Sequence, residues 1–143
     1  MFAIINGPNL NLLGKREPHI YGNKSFEVFL RDLRHKFPNF PIEYFQSNCE
    51  GELIGFLHKL GYENPECHGI ILNPGAYAHY SYALADAISS IPVPVVEVHI
   101  SNIMAREEFR HKSVTAPACK GVITGLGLEG YTLALQFLSE NDS

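Results

Sequence analysis

Tryptophan is absent from this chain of 143 residues, cysteine occurs three times, and Lys and Arg together number only 11. Each scarcity excludes something. Cys49, Cys67 and Cys119 are an odd count without metal-like spacing, so neither a disulfide framework nor a cysteine-held metal is expected, and a reducing, cytoplasmic compartment is. No basic run occurs, so nucleic acid is not an expected partner. No apolar stretch approaches the ~18 residues of a membrane helix, and no charged segment with a cleavage site opens the chain. No membrane association is therefore expected. Linkers, internal repeats and low-complexity segments are also lacking, which predicts a single domain over residues 1–143. Hydrophobic residues are 45% and charged residues 18%, with a net charge of -4. That balance suits an ordered, soluble core rather than a disordered chain.

What is present alternates between strand-like and helix-like runs. Phe2–Asn6, Ile42–Gln46, Gly69–Leu72, Val93–Val98 and Gly121–Thr124 read as short buried strands. Ser25 is a natural N-cap, with Glu27 in the first turn. Phe26, Phe29, Leu30, Leu33 and Phe37 then follow helical spacing until Pro38. Leu53, Phe56, Leu57 and Leu60 form a second helical stripe, with Gly61 as its expected C′ residue. Further helices are predicted at Ser81–Ser90, Ile103–Phe109 and Glu129–Ser139. Strands separated by helices predict an α/β fold, a flavodoxin-like doubly wound sheet of five parallel strands with helices on both faces.

In such sheets ligands bind beyond the carboxyl ends of the strands. That rule selects the loop after Asn6, Gln46–Glu50, Asn73–His79 and His99–Asn102. The first is unusually long and polar, running from Gly7 to Gly22 and carrying Asn9, Asn11, Lys15, Arg16 and Tyr21. Connections in α/β units are usually about 2–6 residues, and longer ones tend to be lids or binding loops. A phenol ordinarily titrates near ~10, and a cation within about 4–6 Å lowers that by roughly 1–3 units. Arg16 is five residues from Tyr21, so Tyr21 is a candidate base as well as an ordinary packing residue. His99 and Glu97 share one face of their strand, which would let the carboxylate orient the imidazole as an acid. A core histidine satisfied by backbone fits the same position. Ser101 and Asn102 would start the next helix, either as a plain cap or as an anion site. Arg106 and Arg110 pair with Glu107 and Glu108 in the simplest reading, though Arg110 can equally reach an anion.

Two patterns mislead. Gly125-Leu126-Gly127-Leu128-Glu129-Gly130 has the letters of a dinucleotide fingerprint, but it follows the last strand and reads as a strand-to-helix turn. The seven histidines show no His-x-x-x-His spacing, so no metal is expected. The residues alone leave several functions open. One is a lyase on a hydroxy-acid or phosphate ester, and another is a non-catalytic binding module for small carboxylates. A flavin electron carrier is disfavoured by the missing Trp and the lack of a Ser/Thr-rich phosphate cradle after strand one.

Taken together, several ordered motifs resemble type II 3-dehydroquinate dehydratase. They are Asn6-Gly7-Pro8-Asn9-Leu10-Asn11-Leu12-Leu13-Gly14, Arg16-Glu17-Pro18 with Tyr21-Gly22, Gln46-Ser47-Asn48, Asn73-Pro74-Gly75-Ala76-Tyr77 and Glu97-Val98-His99-Ile100-Ser101-Asn102. The resemblance extends to Gly130-Tyr131. It implies cofactor-free elimination of water from 3-dehydroquinate, giving 3-dehydroshikimate through an enolate and without a Schiff base. By the family's pattern Tyr21 is the proton acceptor, His99 the proton donor and Arg16 the support of the tyrosinate. Asn9 is the candidate for stabilising the enolate. Asn73, His79, Asp86, Ile100, Ser101 and Arg110 would hold substrate, with Asp86 reaching across a trimer contact. A cytoplasmic homododecamer of four trimers is implied. Ala78, Tyr80 and Ala85 depart from the pattern, which bears on trimer contacts and affinity rather than on the catalytic groups.

Overall fold

The structure is a computed structural model that describes residues 1–15, 19 and 24–142. Its strands are β1 Phe2–Asn6, β2 Ile42–Gln46, β3 Gly69–Asn73, β4 Val95–His99 and β5 Gly121–Thr124. All pair in parallel in the order β2-β1-β3-β4-β5. This is the flavodoxin-like order expected from the alternation of elements. The α-helices are α1 Phe26–Lys36, α2 Glu50–His58, α3 Tyr82–Ser89 and α4 Glu129–Glu140.

Strand side chains alternate between faces, so the sheet has two cores. Phe2, Ile4, Ile71, Val96 and Val98 pack under α1 and α4, where Phe26, Phe29 and Leu33 meet Tyr131 and Leu135. The Phe26 and Tyr131 rings are 5.0 Å apart. Ala3, Ile5, Ile70, Leu72 and Val95 pack under α2 and α3 against Leu53, Leu57, Leu84 and Ile88. Each such aliphatic side chain stabilises the fold by roughly 1.5–3 kcal/mol through burial. β1, β3 and β4 are buried throughout, which is why they are apolar except at Asn6, Asn73, Glu97 and His99.

Local signals held in most places. Ser25 caps α1, its Oγ accepting from Val28 N at 3.3 Å, and Ser81 Oγ caps α3 through Leu84 N at 3.0 Å. Two expectations are corrected. Gly61 does not end a helix as a left-handed C′ residue. α2 runs on into a π turn, Lys59–Glu63, in which Gly61 is buried. Its backbone is pressed so close to Ile91 that an added Cβ would sit 2.5 Å from that side chain's Cδ1. Ile103–Phe109 is not one helix but two 3-10 turns, Ile103–Ala105 and Glu108–Arg110, with Arg106 and Glu107 extended between them.

Candidate active site

The carboxyl ends of β1, β3 and β4 open onto one pocket. Pro8, Asn9, Leu10, Asn73, Gly75, His79, His99, Ile100, Ser101, Arg106 and Arg110 are among its lining residues. The loops after β1 and β3 approach closely: Gly7 N donates to Asn73 O at 2.7 Å, and a Cβ on Gly7 would lie 2.6 Å from Pro74 O. Only glycine fits there. Asn9 sits on the rim in the left-handed region, φ 69°. Its N–H donates to Asn48 Oδ1 at 3.0 Å, and Gln46 Nε2 donates to Gly7 O at 3.2 Å. The Gln46–Glu50 segment thus props the first loop and does not line the pocket itself.

His99 ends β4 and is 6% exposed, while Glu97, two residues back on the same face, is 0% exposed. His99 Nε2 donates to Glu97 Oε2 at 2.7 Å, as the strand periodicity predicts. Ser113 Oγ donates to the same carboxylate oxygen at 2.7 Å, and Thr115 Oγ1 donates to Oε1. Burial pushes the Glu97 carboxyl up, yet the hydrogen bonds from His99, Thr115 and Ser113 outweigh it and hold the group below its ordinary value. An ionised carboxylate accepts only, so it fixes the proton on Nε2 and leaves Nδ1 of His99 for a ligand.

His79 stands beside His99, ring centroids 6.3 Å apart. Its Nδ1 donates to Lys112 O at 2.8 Å, which leaves Nε2 as an acceptor. Burial holds this imidazole below its ordinary value, so it is neutral near pH 7. Asn73 is buried at the pocket floor; its Nδ2 donates to Tyr131 Oη at 2.9 Å, and its Oδ1 accepts from Gly75 N at 3.1 Å. Ile100 and Ser101 are clamped from behind, with Gly125 N donating to His99 O at 3.1 Å and Gly127 N to Ile100 O at 3.0 Å. Gly125 adopts φ 87° against Asn102 there, so the fingerprint-like glycines are a turn that braces the β4 end.

Arg106 Nη1 donates to Ser101 Oγ at 3.2 Å. Arg110 Nε donates to Glu107 Oε2 at 3.1 Å and its guanidinium lies 4.7 Å over the Phe109 ring. Both arginines nonetheless line the pocket. No described lining residue is a carboxylate. The arrangement favours an anionic ligand, and places an imidazole backed by a buried carboxylate beside it. Asn102 Oδ1 caps the first 3-10 turn through Met104 N at 3.1 Å. Among the described residues no cluster of three or more His, Cys, Asp or Glu could hold a metal.

The family model for class II dehydroquinases matches residues 1–139. The chain belongs to that family. A 3-dehydroquinate dehydratase of Caldicellulosiruptor bescii is 55% identical over 139 residues, covering 96% of this chain and 94% of that protein. The Bacillus subtilis 3-dehydroquinate dehydratase is 52% identical over 96% of this chain and 92% of its own length. The crystal structure of a type II dehydroquinase from Butyrivibrio crossotus superposes with a TM-score of 0.91 at 47% identity, covering 96% of both chains.

Of the residues expected to form a dehydroquinase site, the fold brings Asn9, Asn73, His79, His99, Ile100, Ser101 and Arg110 together. Arg16 and Tyr21 lie outside the described residues. Asp86 is exposed on α3 and does not line this pocket. The sequence pairs Arg106 with Glu107, whose Oε1 does lie 3.6 Å from Arg106 Nε, but does not show that Arg106 lines the pocket, and it gives no sign of Ser113 and Thr115. Ser101, next to the strand end, was the one signal pointing to Arg106; nothing in the pattern pointed to the two hydroxyls.

Proposed function

We propose that this chain eliminates water from 3-dehydroquinate to give 3-dehydroshikimate, with Tyr21 as base and His99 as acid. The observation that carries the reading is His99, held by buried Glu97, in a pocket with two guanidiniums and no described carboxylate. Tyr21, supported by Arg16, takes the proton next to the ketone. Asn9, directly or through water, stabilises the developing enolate. His99, as the imidazolium with Nε2–H on Glu97, then gives its Nδ1 proton to the departing hydroxyl and is left neutral. The substrate carboxylate sits on Ser101 and the backbone N–H groups of Ile100 and Ser101. Arg110 adds charge, neutral His79 accepts from a substrate hydroxyl, and Asn73 forms the floor. No imine forms, so no lysine takes part.

Asp86 would enter the site of a neighbouring copy across a trimer contact, within a cytoplasmic homododecamer of one-domain subunits. Its exposed position on α3 is compatible with that role. Sedimentation velocity of the wild-type protein decides the assembly, and a monomer with full activity would remove Asp86 from the site.

The deciding measurement is growth of absorbance from the conjugated product. Wild type should show it, while Tyr21→Phe should lose nearly all of it and still bind substrate. Binding without turnover by wild type would leave a carboxylate-binding module as the function.

A further inference from the structure

The Glu97 carboxylate is held by more than its histidine. Ser113 Oγ donates to Oε2 at 2.7 Å and Thr115 Oγ1 donates to Oε1; the two hydroxyl oxygens lie 3.1 Å apart. Thr115 is 0% exposed. Ser113 is itself fixed, its Oγ accepting from Ala116 N at 3.0 Å. Neither residue lines the pocket, so neither touches a ligand bound there.

The stretch that carries them serves both histidines. Lys112 O accepts from His79 Nδ1 at 2.8 Å, and Val114 N donates to Ala78 O at 2.7 Å. Backbone groups of residues 112 and 114 therefore hold the His79 turn, while the side chains of residues 113 and 115 hold Glu97. A segment in this alternation fixes the spacing between two imidazoles that come from different strand ends.

We infer that Ser113 and Thr115 are positioning residues for the acid, keeping Glu97 anionic and in place so that it holds the His99 ring and its charge. This rests on His99 being the proton donor. Buried carboxylates keep their charge only when their oxygens are satisfied. Here the remaining described groups around the dyad are cationic or weakly polar. His79 comes from the turn after β3, and Arg106 and Arg110 from the 3-10 turns. Cys119 comes from the loop before β5, its Sγ 3.9 Å from Oε1 and its thiol pushed up to about 12 by burial and by Glu97. Without the two hydroxyls nothing comparable among these groups would satisfy Oε1. Glu97 would then take up a proton more readily and stop stabilising a charged His99.

Thr115→Val, Ser113→Ala and the conservative Thr115→Ser test this in the full chain. A hydrogen bond to a charged group is worth roughly a tenfold to hundredfold change in rate when lost. Thr115→Val should lower kcat by about that factor, with Ser113→Ala milder and KM nearly unchanged. The alkaline limb of the kcat profile should move to lower pH, because an acid without its counter-charge loses its proton sooner. Thr115→Ser should restore both. In a Glu97→Gln background Thr115→Val should add little further loss. A folded Thr115→Val with wild-type kcat and an unmoved profile overturns the inference. Should that variant fail to fold, an unchanged profile for Ser113→Ala overturns it equally. The His99 Nε2–H resonance in proton NMR separates this from the wider reading. It should broaden or shift in these variants even if the wild type turned over no dehydroquinate, and an unperturbed resonance refutes the positioning role.

Discussion

Two buried polar clusters sit under the same rim of the sheet, one on each face, and they are built from different chemistry. On the α1/α4 face Tyr131 Oη donates to Asn6 Oδ1 at 2.7 Å and accepts from Asn73 Nδ2 at 2.9 Å, and Asn6 Nδ2 donates to Tyr44 Oη at 3.3 Å. On the α2/α3 face Glu97 gathers His99, Ser113 and Thr115. The first cluster holds only amides and phenols. Burial pushes both phenols above their ordinary value, so neither ionises near neutral pH. The second pairs a carboxylate held below its ordinary value with an imidazole that reaches the pocket. Neutral groups, once satisfied, fix the backbone and ignore pH. A buried ion pair is a weaker source of stability, because desolvation offsets its attraction, but it can move a proton. The face proposed to position and the face proposed to react are thus distinguished by charge, although both place a side chain at the pocket.

The sharpest way to break this comparison is to remove the proton from the reactive face while keeping its shape. His99→Asn retains an amide that can donate to Glu97, so the fold should survive. General acid catalysis is worth about 10²–10⁴-fold, and kcat should fall by that amount. Thermal unfolding should stay close to wild type, since the buried carboxylate keeps a donor. A large drop in stability with kcat retained would make His99 a structural residue and erase the distinction between the faces.

The positioning face should respond in the opposite sense. Tyr131→Phe keeps the ring packed against Phe26 and Phe29 of α1 but strands Asn6 Oδ1 and Asn73 Nδ2 in a buried site. Leaving buried partners unsatisfied costs roughly 1–3 kcal/mol, read as a lower midpoint in urea unfolding. The pH profile of kcat should not move, because no group that titrates near neutrality has been touched. A shifted profile would show that the two clusters communicate through the strand ends.

Much of this division was legible in the sequence. Alternating short strands and helices gave the parallel sheet, and period two along β4 put Glu97 and His99 on one face. The rule that ligands sit beyond strand ends chose three of the correct segments and one too many. Gln46–Glu50 is polar like the others, but its side chains turn inward to hold the β1 loop. Ser113 and Thr115 were invisible because they reach Glu97 from an irregular segment 16 and 18 residues away, where no periodicity applies. The Ile103–Phe109 helix failed for a related reason. Local propensity favours a helix there, but Arg106 extends and turns its guanidinium back to Ser101, and tertiary demand splits the segment into two tight turns.

The smallest expected effect concerns stability against acid, and here one face should give the curve a slope and the other should not. The Glu97 carboxyl titrates below its ordinary value of 4.5 in the folded protein. Its contribution is therefore complete above that value and is lost as pH falls through the lower folded value. His79 acts in the same direction at higher pH: its imidazole is held below 6.5, so acidification through that value favours the unfolded chain, which binds the proton more readily. Each group can add at most ~1.4 kcal/mol per pH unit to the slope. Glu97→Gln should flatten the slope of unfolding free energy below about pH 4.5 but not remove the slope that His79 gives at higher pH, since losing the Glu97 charge only lowers His79 further. Tyr131→Phe should lower the whole curve without changing its shape. Parallel curves for wild type and Glu97→Gln would mean that Glu97 gains nothing from its three donors on folding. The contrast between a titrating face and a silent one would then reduce to a difference in composition alone.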